Sequence, residues 1–169
     1  KNGNYMGIYN GFGKQYWFMK NQPELFANAA HVMTEASWMV FKLTGVWSWN
    51  RPEAGFYAPY NTKTRDWDSE LLKKVGFPRS LFPKLFDAWE IVGKVTSDAS
   101  KQTGLPEGTP VVAGADDASP VALTTGVIKT GQCFISVGSG GNIAANTEKP
   151  VTHPTILTYP HCIPHLTTA

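Results

Sequence analysis

The sequence has few cysteines, few charged residues and no long hydrophobic run. Its 169 residues include two cysteines, Cys133 and Cys162, which form neither a disulfide framework nor a CxxC pair, so a reducing cytoplasm is the expected location. Charged residues make up 17% and the net charge is +2, without blocks of like charge, so nucleic acid is not an expected partner. No apolar stretch has the length of a membrane span, and no export signal is recognisable, so membrane association is not expected either.

Aromatic residues, in contrast, are abundant: they make up 12% of the chain and include six tryptophans. Many lie at 46–60, where prolines and glycines prevent a long regular element. Stacked rings there could line a sugar site, because the C–H faces of a sugar pack on aromatic rings. The usual burial of large aromatic residues favours the alternative that they pack beneath a loop. Trp17 is likewise expected to pack in a core.

Helix and strand signals alternate through the first two thirds of the chain. Helices are predicted within 13–28, with a break at Pro23, and at 36–44, 66–74 and 97–103. Glycine follows the last three of these helices, at Gly45, Gly76 and Gly104, and commonly takes the left-handed conformation after a helix. Shorter elements are predicted at 31–33 and 91–96 as strands, and at 80–86 as a turn of helix.

Two adjacent carboxylates, Asp116 and Asp117, mark the stretch most typical of a functional site. Residues 111–113 predict a buried strand, and Ser119 followed by Pro120 predicts the N-cap and first residue of a helix. The carboxylates therefore lie between strand and helix, and ligands of open α/β sheets bind at this carboxyl end of a strand. The common alternative is that they cap the helix, because carboxylates accept its free amide hydrogens.

A glycine-rich turn follows the two aspartates. Strands predicted at 132–137 and 142–145 are joined by Gly138, Ser139, Gly140 and Gly141. Such a loop presents several backbone N–H groups and a hydroxyl in one concavity, which suits a phosphate group. An ordinary hairpin turn also favours glycine, so the loop is stronger evidence together with a nearby acid than alone.

Histidines gather near the end of the sequence. His153, His161 and His165, together with Cys162, offer four side chains of the kind that bind zinc. Their spacing matches no common zinc module, and prolines interrupt the segment. A zinc-stabilised interaction domain is therefore kept only as an alternative, and no residue is assigned as a metal ligand.

The order of these features resembles the FGGY carbohydrate kinases, the family that includes xylulose, ribulose, gluconate and glycerol kinases. A collinear series of motifs, with no large gap between them, carries the resemblance over nearly the whole chain, although no single motif is decisive. The series consists of Tyr9-Asn-Gly-Phe-Gly-Lys-Gln-Tyr-Trp17, His31, Leu43-Thr-Gly45, Thr64-Arg-Asp-Trp67, Gly76-Phe-Pro78, Val92-Gly-Lys-Val-Thr96, residues 103–114, Asp117 and Val137-Gly-Ser-Gly-Gly141.

The resemblance implies an α/β fold of the ribonuclease-H-like type (actin-like ATPase superfamily) with two lobes. Residues 1–127 would form the C-terminal part of the first, sugar-binding lobe, and residues 128–169 the start of the second, nucleotide-binding lobe. The implied activity is ATP-dependent phosphorylation of a sugar or polyol hydroxyl in the cleft between the lobes, with Mg²⁺ accompanying ATP. The sequence is compatible with a homodimer but does not fix the oligomeric state.

The resemblance also assigns roles to individual residues. Asp117 falls on the family's catalytic base, which contacts the substrate and takes the proton from the attacking hydroxyl. The loop 138–141 falls on the segment that holds the ATP phosphates, and Tyr9 falls on a position that contacts the polyol in glycerol kinase. Ala118 departs from the family, which often has Asn or Gln after the base to bind a sugar hydroxyl, so the identity of the sugar stays open.

The chain begins at a lysine, and the family's opening Asp-x-Gly-Thr motif for phosphate and magnesium is not in it, nor is the adenosine-binding region. It is therefore expected to be an excerpt without turnover of its own. The alternative from another class is a non-catalytic carbohydrate-binding or regulatory module derived from the same fold, which the tryptophan content motivates.

Overall fold

The computed structural model describes Gly7 and residues 10–169, so the predicted substrate residue Tyr9 lies outside the described residues. The helices are α1 (Gly11–Asn21), α2 (Pro23–Ala27), α3 (Glu35–Thr44), α4 (Arg51–Ala54), α5 (Ser69–Val75), α6 (Ser97–Thr103) and α7 (Ala118–Thr124), with a 3-10 turn at Arg79–Leu81. The strands are β1 (Ser48–Asn50), β2 (Tyr60–Asn61), β3 (Asp66–Trp67), β4 (Lys84–Phe86), β5 (Ile91–Lys94), β6 (Pro110–Val112), β7 (Cys133–Val137), β8 (Gly141–Thr147), β9 (Tyr159–Pro160) and β10 (Thr167–Thr168).

The strands form small sheets that helices cover. Strands β1 and β4 pair in parallel, whereas β2 pairs with β3 and β5 with β6 in antiparallel fashion. The last part of the chain contributes a four-stranded antiparallel sheet in the order β7-β8-β10-β9. Helix α3 packs against β1, β5, β6 and α6 and so connects the β1–β4 pair with the β5–β6 pair.

Aromatic side chains build the main core, which lies in the first half of the chain. Trp49 is 1% exposed, and its ring centroid lies 5.2 Å from that of Trp67 and 6.0 Å from that of Phe82. The indole nitrogen of Trp67 donates a hydrogen bond of 2.9 Å to the carbonyl of Pro83, which satisfies its one polar atom. This burial places the rings where they stabilise the fold most.

The predicted helix ends in the first two thirds of the chain are largely confirmed. Gly45, Gly76 and Gly104 follow α3, α5 and α6 with φ of 71°, 69° and 76°. An L-residue with a Cβ atom is disfavoured in this left-handed conformation, so glycine ends these helices at low cost. The hydroxyl of Thr96 accepts the amide hydrogen of Ala99 and begins α6 at the predicted residue.

Three local predictions are wrong. Residues 31–33 form no strand; instead the amide of Val32 donates to the carbonyl of Leu81 over 2.9 Å. Residues 80–86 divide into the end of the 3-10 turn and strand β4, because Pro83 lacks an amide hydrogen to continue a helix. The helix predicted at 66–74 begins only at Ser69, since Asp66 and Trp67 pair with β2.

The prediction that Trp17 packs in a core is also wrong. Helix α1 buries Phe12, which is 1% exposed, while Trp17 is 52% exposed. The two residues lie five positions apart, an offset that places them on different faces of a helix. Only the face with Phe12 meets the core.

A second, smaller core joins helix α7 to the β7–β8 hairpin. Ala122, Phe134 and Ala144 are buried in it, with Ala118 and Val127 packed against them. The residues on α7 are small, so the helix lies close to the hairpin. Among the helices of the described part of the chain, none is long and apolar enough to cross a membrane.

Candidate functional site

The candidate site begins in the loop between β6 and α7. Gly114, with φ of 78°, turns the chain after the strand, as predicted. The amides of Ala113 and Gly114 donate to the carbonyls of Glu90 and Ala88, over 3.0 and 3.1 Å, and hold the loop in place. The strand itself is less buried than predicted, because Val112 is 47% exposed. Asp116 and Asp117 follow this anchored turn.

Asp116 caps helix α7. Its Oδ2 accepts hydrogen bonds from the amides of Ala118 at 3.1 Å and Ser119 at 3.4 Å. The predicted N-cap at Ser119 is therefore wrong: the helix begins two residues earlier than predicted, at Ala118, and Ser119 is buried in its first turn. Asp116 takes this role because it precedes the first free amides of the helix and reaches two of them.

Asp117 is exposed and makes a different set of contacts. Its backbone carbonyl accepts the amide hydrogen of Val121 at 3.4 Å, but its side chain provides no cap for the helix. Within the part of the chain that the structure describes, its carboxylate makes no hydrogen bond or ion pair. Both oxygens are therefore free to accept a proton, or a hydrogen bond that a hydroxyl group donates.

The carboxyl group of Asp116 is largely shielded from solvent. Burial raises the pKa of Asp116, against the opposing effect of hydrogen bonds from Ser119 and Ala118. One oxygen, Oδ1, is buried and has no partner among the described atoms. Burial also raises the pKa of Tyr159, with a further contribution from the negative charges of Asp116 and Asp117. Strand β9 thus approaches the two aspartates from the far end of the chain.

A further carboxyl group, that of Glu53, interacts electrostatically with Asp116. Burial raises the pKa of Glu53, whose Oε2 accepts hydrogen bonds from Thr34 at 2.7 Å and Asn50 at 3.1 Å. The charge of Asp116 adds to that effect, which places Glu53 in the same electrostatic neighbourhood. One partner is local, because Asn50 caps α4 and exchanges hydrogen bonds with Glu53 three residues later, whereas Thr34 comes from a distant segment that no local signal indicates.

The glycine-rich loop forms a tight, exposed hairpin turn. Val137 pairs with Gly141, and the amide of Gly138 donates to the carbonyl of Gly140 over 2.9 Å. The Gly138 amide is therefore engaged within the turn and is not available as it stands for phosphate. The amides of Ser139 and Gly140 make no hydrogen bond within the described residues and remain candidate phosphate donors.

The packing of α7 connects Asp117 with this hairpin. Ala118, the residue after Asp117, packs against the cluster that contains Phe134 and Ala144. The Phe134–Ala144 pair lies three residue pairs before Val137–Gly141, which corresponds to about 10 Å along the strands. The carboxylate and the loop thus belong to elements that pack on each other.

The aromatic segment 46–60 does not provide a stacked sugar platform. Trp49 and Tyr60 are each 1% exposed and belong to the main core, which confirms the alternative that favoured packing. The half-buried Tyr57 lies against Trp49, and burial raises the pKa of its hydroxyl to about 12.

The histidines near the end of the chain are tied into local turns. His161 is 3% exposed, and its Nδ1 accepts the amide hydrogen of Ile163 at 2.9 Å, while burial lowers its pKa. The Nδ1 of His153 accepts the amide hydrogen of Thr155 in the same way, at 3.2 Å. In Gly7 and residues 10–169, no three His, Cys, Asp or Glu side chains are grouped to hold a metal ion. The zinc alternative therefore lacks a ligand set.

Comparison of the whole sequence with known families decides the affiliation. The N-terminal domain of the FGGY family of carbohydrate kinases matches residues 1–124. The chain belongs to this family. Among curated relatives, the autoinducer-2 kinase of Enterobacter sp. (strain 638) is 30% identical over 155 residues, which are 90% of this chain and 29% of the relative.

Solved structures of FGGY kinases share the fold. The xylulose kinase from Rhodospirillum rubrum matches with a TM-score of 0.94 and 25% identity, over 99% of this chain and 34% of that one. The Plasmodium falciparum glycerol kinase with ADP matches with a TM-score of 0.85 and 19% identity, over 99% of this chain and 35% of that one. The predicted family and its actin-like ATPase fold are confirmed, and the chain spans about a third of these relatives.

Proposed function

We propose that this chain is part of an ATP-dependent kinase that phosphorylates a hydroxyl group of a sugar or polyol, with Asp117 as catalytic base. Membership of the FGGY family is the observation that carries this proposal. The exposed, unpaired carboxylate of Asp117 supports it, because a base must be free to meet its substrate. Asp116, in contrast, is occupied with the amides of α7.

In the proposed reaction, the Asp117 carboxylate accepts the proton of the sugar hydroxyl as its oxygen attacks the γ-phosphorus of ATP. A hydroxyl is a weak nucleophile, and a positioned base removes its proton as the new bond forms. The bond between the γ-phosphorus and the bridging oxygen of ADP breaks, so the products are ADP and the sugar phosphate. Positioning and charge stabilisation supply most of the acceleration in phosphoryl transfer.

The loop 138–141 is proposed to hold the phosphates of ATP. Ser139 and Gly140 supply the amides that the hairpin leaves unpaired, and Ser139 adds its hydroxyl. Gly138 and Gly141 would act by allowing close approach of the backbone, since neither has a side chain. This assignment refines the expectation that the loop 138–141 as a whole holds the ATP phosphates.

Mg²⁺ is expected to accompany ATP, but the described residues do not form a protein cage for it, since they contain no group of three candidate ligands. Proteins commonly bind Mg²⁺ through one or two carboxylates together with substrate phosphates and water. None of the steps assigned to this chain's residues requires the ion to be placed.

Several finer assignments are proposals that rest on the family alone. They are the lobe boundary between residues 127 and 128, a contact of Tyr9 with the substrate, a cytoplasmic location and a homodimer. The boundary is supported by the end of the N-terminal domain match at residue 124. The acceptors named for the relatives are autoinducer-2, xylulose and glycerol. Small polyhydroxylated compounds are therefore the acceptors to test.

An ATP-consumption assay tests the kinase function. We expect the full-length protein to consume ATP in the presence of at least one member of a panel of ketopentoses, polyols, aldonates and autoinducer-2, with stoichiometric formation of a phosphate ester. Consumption without an acceptor is the blank. If every acceptor leaves the rate at the blank while a sugar still binds, the chain belongs to a carbohydrate-binding module instead.

A further inference from the structure

A groove of about 540 Å³ lies where the β2–β3 hairpin meets the last part of the chain. We propose that this groove binds a small phosphate monoester and is a site additional to the one described above. Four of its lining residues carry or can carry positive charge, and we call them the cationic set: Lys63, Arg65, Lys149 and His165. Glu148 is the carboxylate among the lining residues.

The charges in the groove favour an anion. The ammonium groups of Lys63 and Lys149 form no ion pair within the described residues, so their charges are available to a ligand. Arg65 is held by Asp87, through Nη2 and Oδ1 at 2.5 Å, and this contact fixes the direction of its guanidinium group. A doubly charged phosphate group can meet several cations at once, which a singly charged carboxylate does less well.

The backbone around the groove is unusual. Arg65 and His165 have positive φ, 57° and 66°, and they are the non-glycine residues of the described chain with this conformation. Both line the groove, although they lie far apart in the sequence. Such backbone conformations cost free energy and cluster at binding sites, because the fold retains them where they orient side chains.

The floor of the groove is tightly packed. Tyr159 is 4% exposed, and its ring centroid lies 4.3 Å from that of Phe56. Strand β9 approaches helix α4 at Gly55, where an added Cβ atom would collide with Tyr159. A floor with this packing preserves the shape of the groove, and the volume suits a ligand the size of a sugar phosphate.

The groove is adjacent to the candidate site but does not include it. Neither Asp117 nor the loop 138–141 lines it. Tyr159 connects the groove with the candidate site. It lines the groove, and the negative charges of Asp116 and Asp117 contribute to raising its pKa. A ligand in the groove would touch the β2–β3 hairpin and the segment 148–167 together and would favour the arrangement in which they are close.

Calorimetric titration of the full-length protein with ribose 5-phosphate, ribose and inorganic phosphate tests this proposal. We expect saturable binding of ribose 5-phosphate that depends on the groove, and no binding of ribose that depends on it. Binding of inorganic phosphate with equal affinity would identify the phosphate group alone as the ligand, and weaker binding would identify the ester. Absence of ribose 5-phosphate binding would overturn the proposal, and so would ribose binding that charge reversal in the groove weakens as much as it weakens ribose 5-phosphate binding.

Charge reversal locates the binding. The double variant Lys63→Glu and Lys149→Glu should weaken binding of ribose 5-phosphate at least tenfold, whereas Lys74→Glu with Lys94→Glu, the same change of net charge outside the groove, should change it less than twofold. Equal weakening in both would show a non-specific charge effect and refute the site. Unchanged binding in the groove variant would place the ligand elsewhere, including the loop 138–141, and refute it too.

A third variant keeps the test valid if the double variant fails to fold. His165→Asn removes the imidazole and preserves positive φ, which asparagine tolerates. We expect a several-fold weaker affinity for ribose 5-phosphate with unchanged thermal stability. Unaltered affinity in this variant would exclude His165 from the site and contradict the proposed use of its backbone conformation. The outcome does not depend on catalysis, so it is separate from the kinase assay.

Discussion

At the scale of single residues, two adjacent aspartates have different roles. Asp116 accepts two amide hydrogens at the beginning of α7, whereas the carboxylate of Asp117 is exposed and unpaired within the described residues. From the sequence alone, either aspartate can be assigned as the cap of α7 or as the catalytic base. Only the position of the helix start, at Ala118, separates them.

The burial of Asp116 predicts a pH dependence of stability. Its pKa is raised above the value of 3.8 for an unperturbed aspartate, so the folded state binds the proton more tightly than the unfolded state does. The free energy of unfolding from this group should therefore fall as pH rises from about 3.8 through the folded pKa. Asp116→Asn should remove this decrease, as measured by urea denaturation from pH 3.5 to 7.

A second substitution separates charge from capping. The side-chain oxygen of asparagine can accept the same amide hydrogens, so Asp116→Asn should be at least as stable as the parent at pH 7. Asp116→Ala has no acceptor and should lose about 1 kcal/mol, a typical value for a missing cap. If alanine and asparagine give equal stability, Asp116 does not cap α7.

At the scale of elements, the approach of β9 to α4 depends on one glycine. Gly55 follows α4 directly, and a Cβ atom there would collide with the Cβ of Tyr159 and meet Pro160 at 3.0 Å. The backbone of Tyr159 is also close, so the strand as a whole would have to move.

Gly55→Ala should therefore destabilise the protein by about 1–3 kcal/mol, as overpacking in a close contact typically does. Gly13→Ala is the matched control, because Gly13 lies in helix α1 and a Cβ atom there meets nothing within 4 Å. That change should stabilise the helix by about 0.5–1 kcal/mol, since alanine loses less backbone entropy. Thermal denaturation of both variants measures the difference, and equal shifts in the two would refute the close approach.

The elements that the sequence predicted best depend on local contacts. Gly45, Gly76 and Gly104 end their helices through their own backbone, and Thr96 caps α6 over three residues. The predictions that failed depend on distant partners. Nothing near Trp17 shows which face of α1 meets the core, and nothing near residue 66 shows that it pairs with β2.

In the candidate site, too, the features that depend on local sequence were predicted and those that depend on distant partners were not. The carboxylates and the glycine-rich turn were recognisable because each is a short motif. The neighbourhood of Glu53 and Tyr159 was not, because it joins segments about a hundred residues apart, and hydrophobic periodicity reports only which face of an element is buried. The same holds for the groove, which combines the β2–β3 hairpin with residues 148–167.

At the scale of the whole molecule, the two proposed lobes make close contact within this chain. Helix α7, assigned to the first lobe, packs on the β7–β8 hairpin of the second. Strand β9, assigned to the second lobe, packs on α4 of the first. The chain spans about a third of its relatives, so these contacts describe one side of the proposed kinase.

These contacts support the proposal that Asp117 is the catalytic base. Asp117 directly precedes α7, which joins the two proposed lobes, and the proposed phosphate loop lies at the tip of the hairpin on which that helix packs. If Asp117 is the base, its removal should affect proton transfer and leave the binding of the acceptor largely unchanged.

Phosphoryl transfer by Asp117→Asn in the full-length protein tests this claim most directly, with Asp98→Asn as the control because Asp98 is an exposed carboxylate at the beginning of α6. We predict that Asp117→Asn lowers kcat by about two orders of magnitude or more while the Kd for the acceptor changes less than threefold, as loss of a general base requires. Asp98→Asn should keep the parent's rate. A kcat for Asp117→Asn within a few-fold of the parent would contradict the assignment of Asp117 as the base.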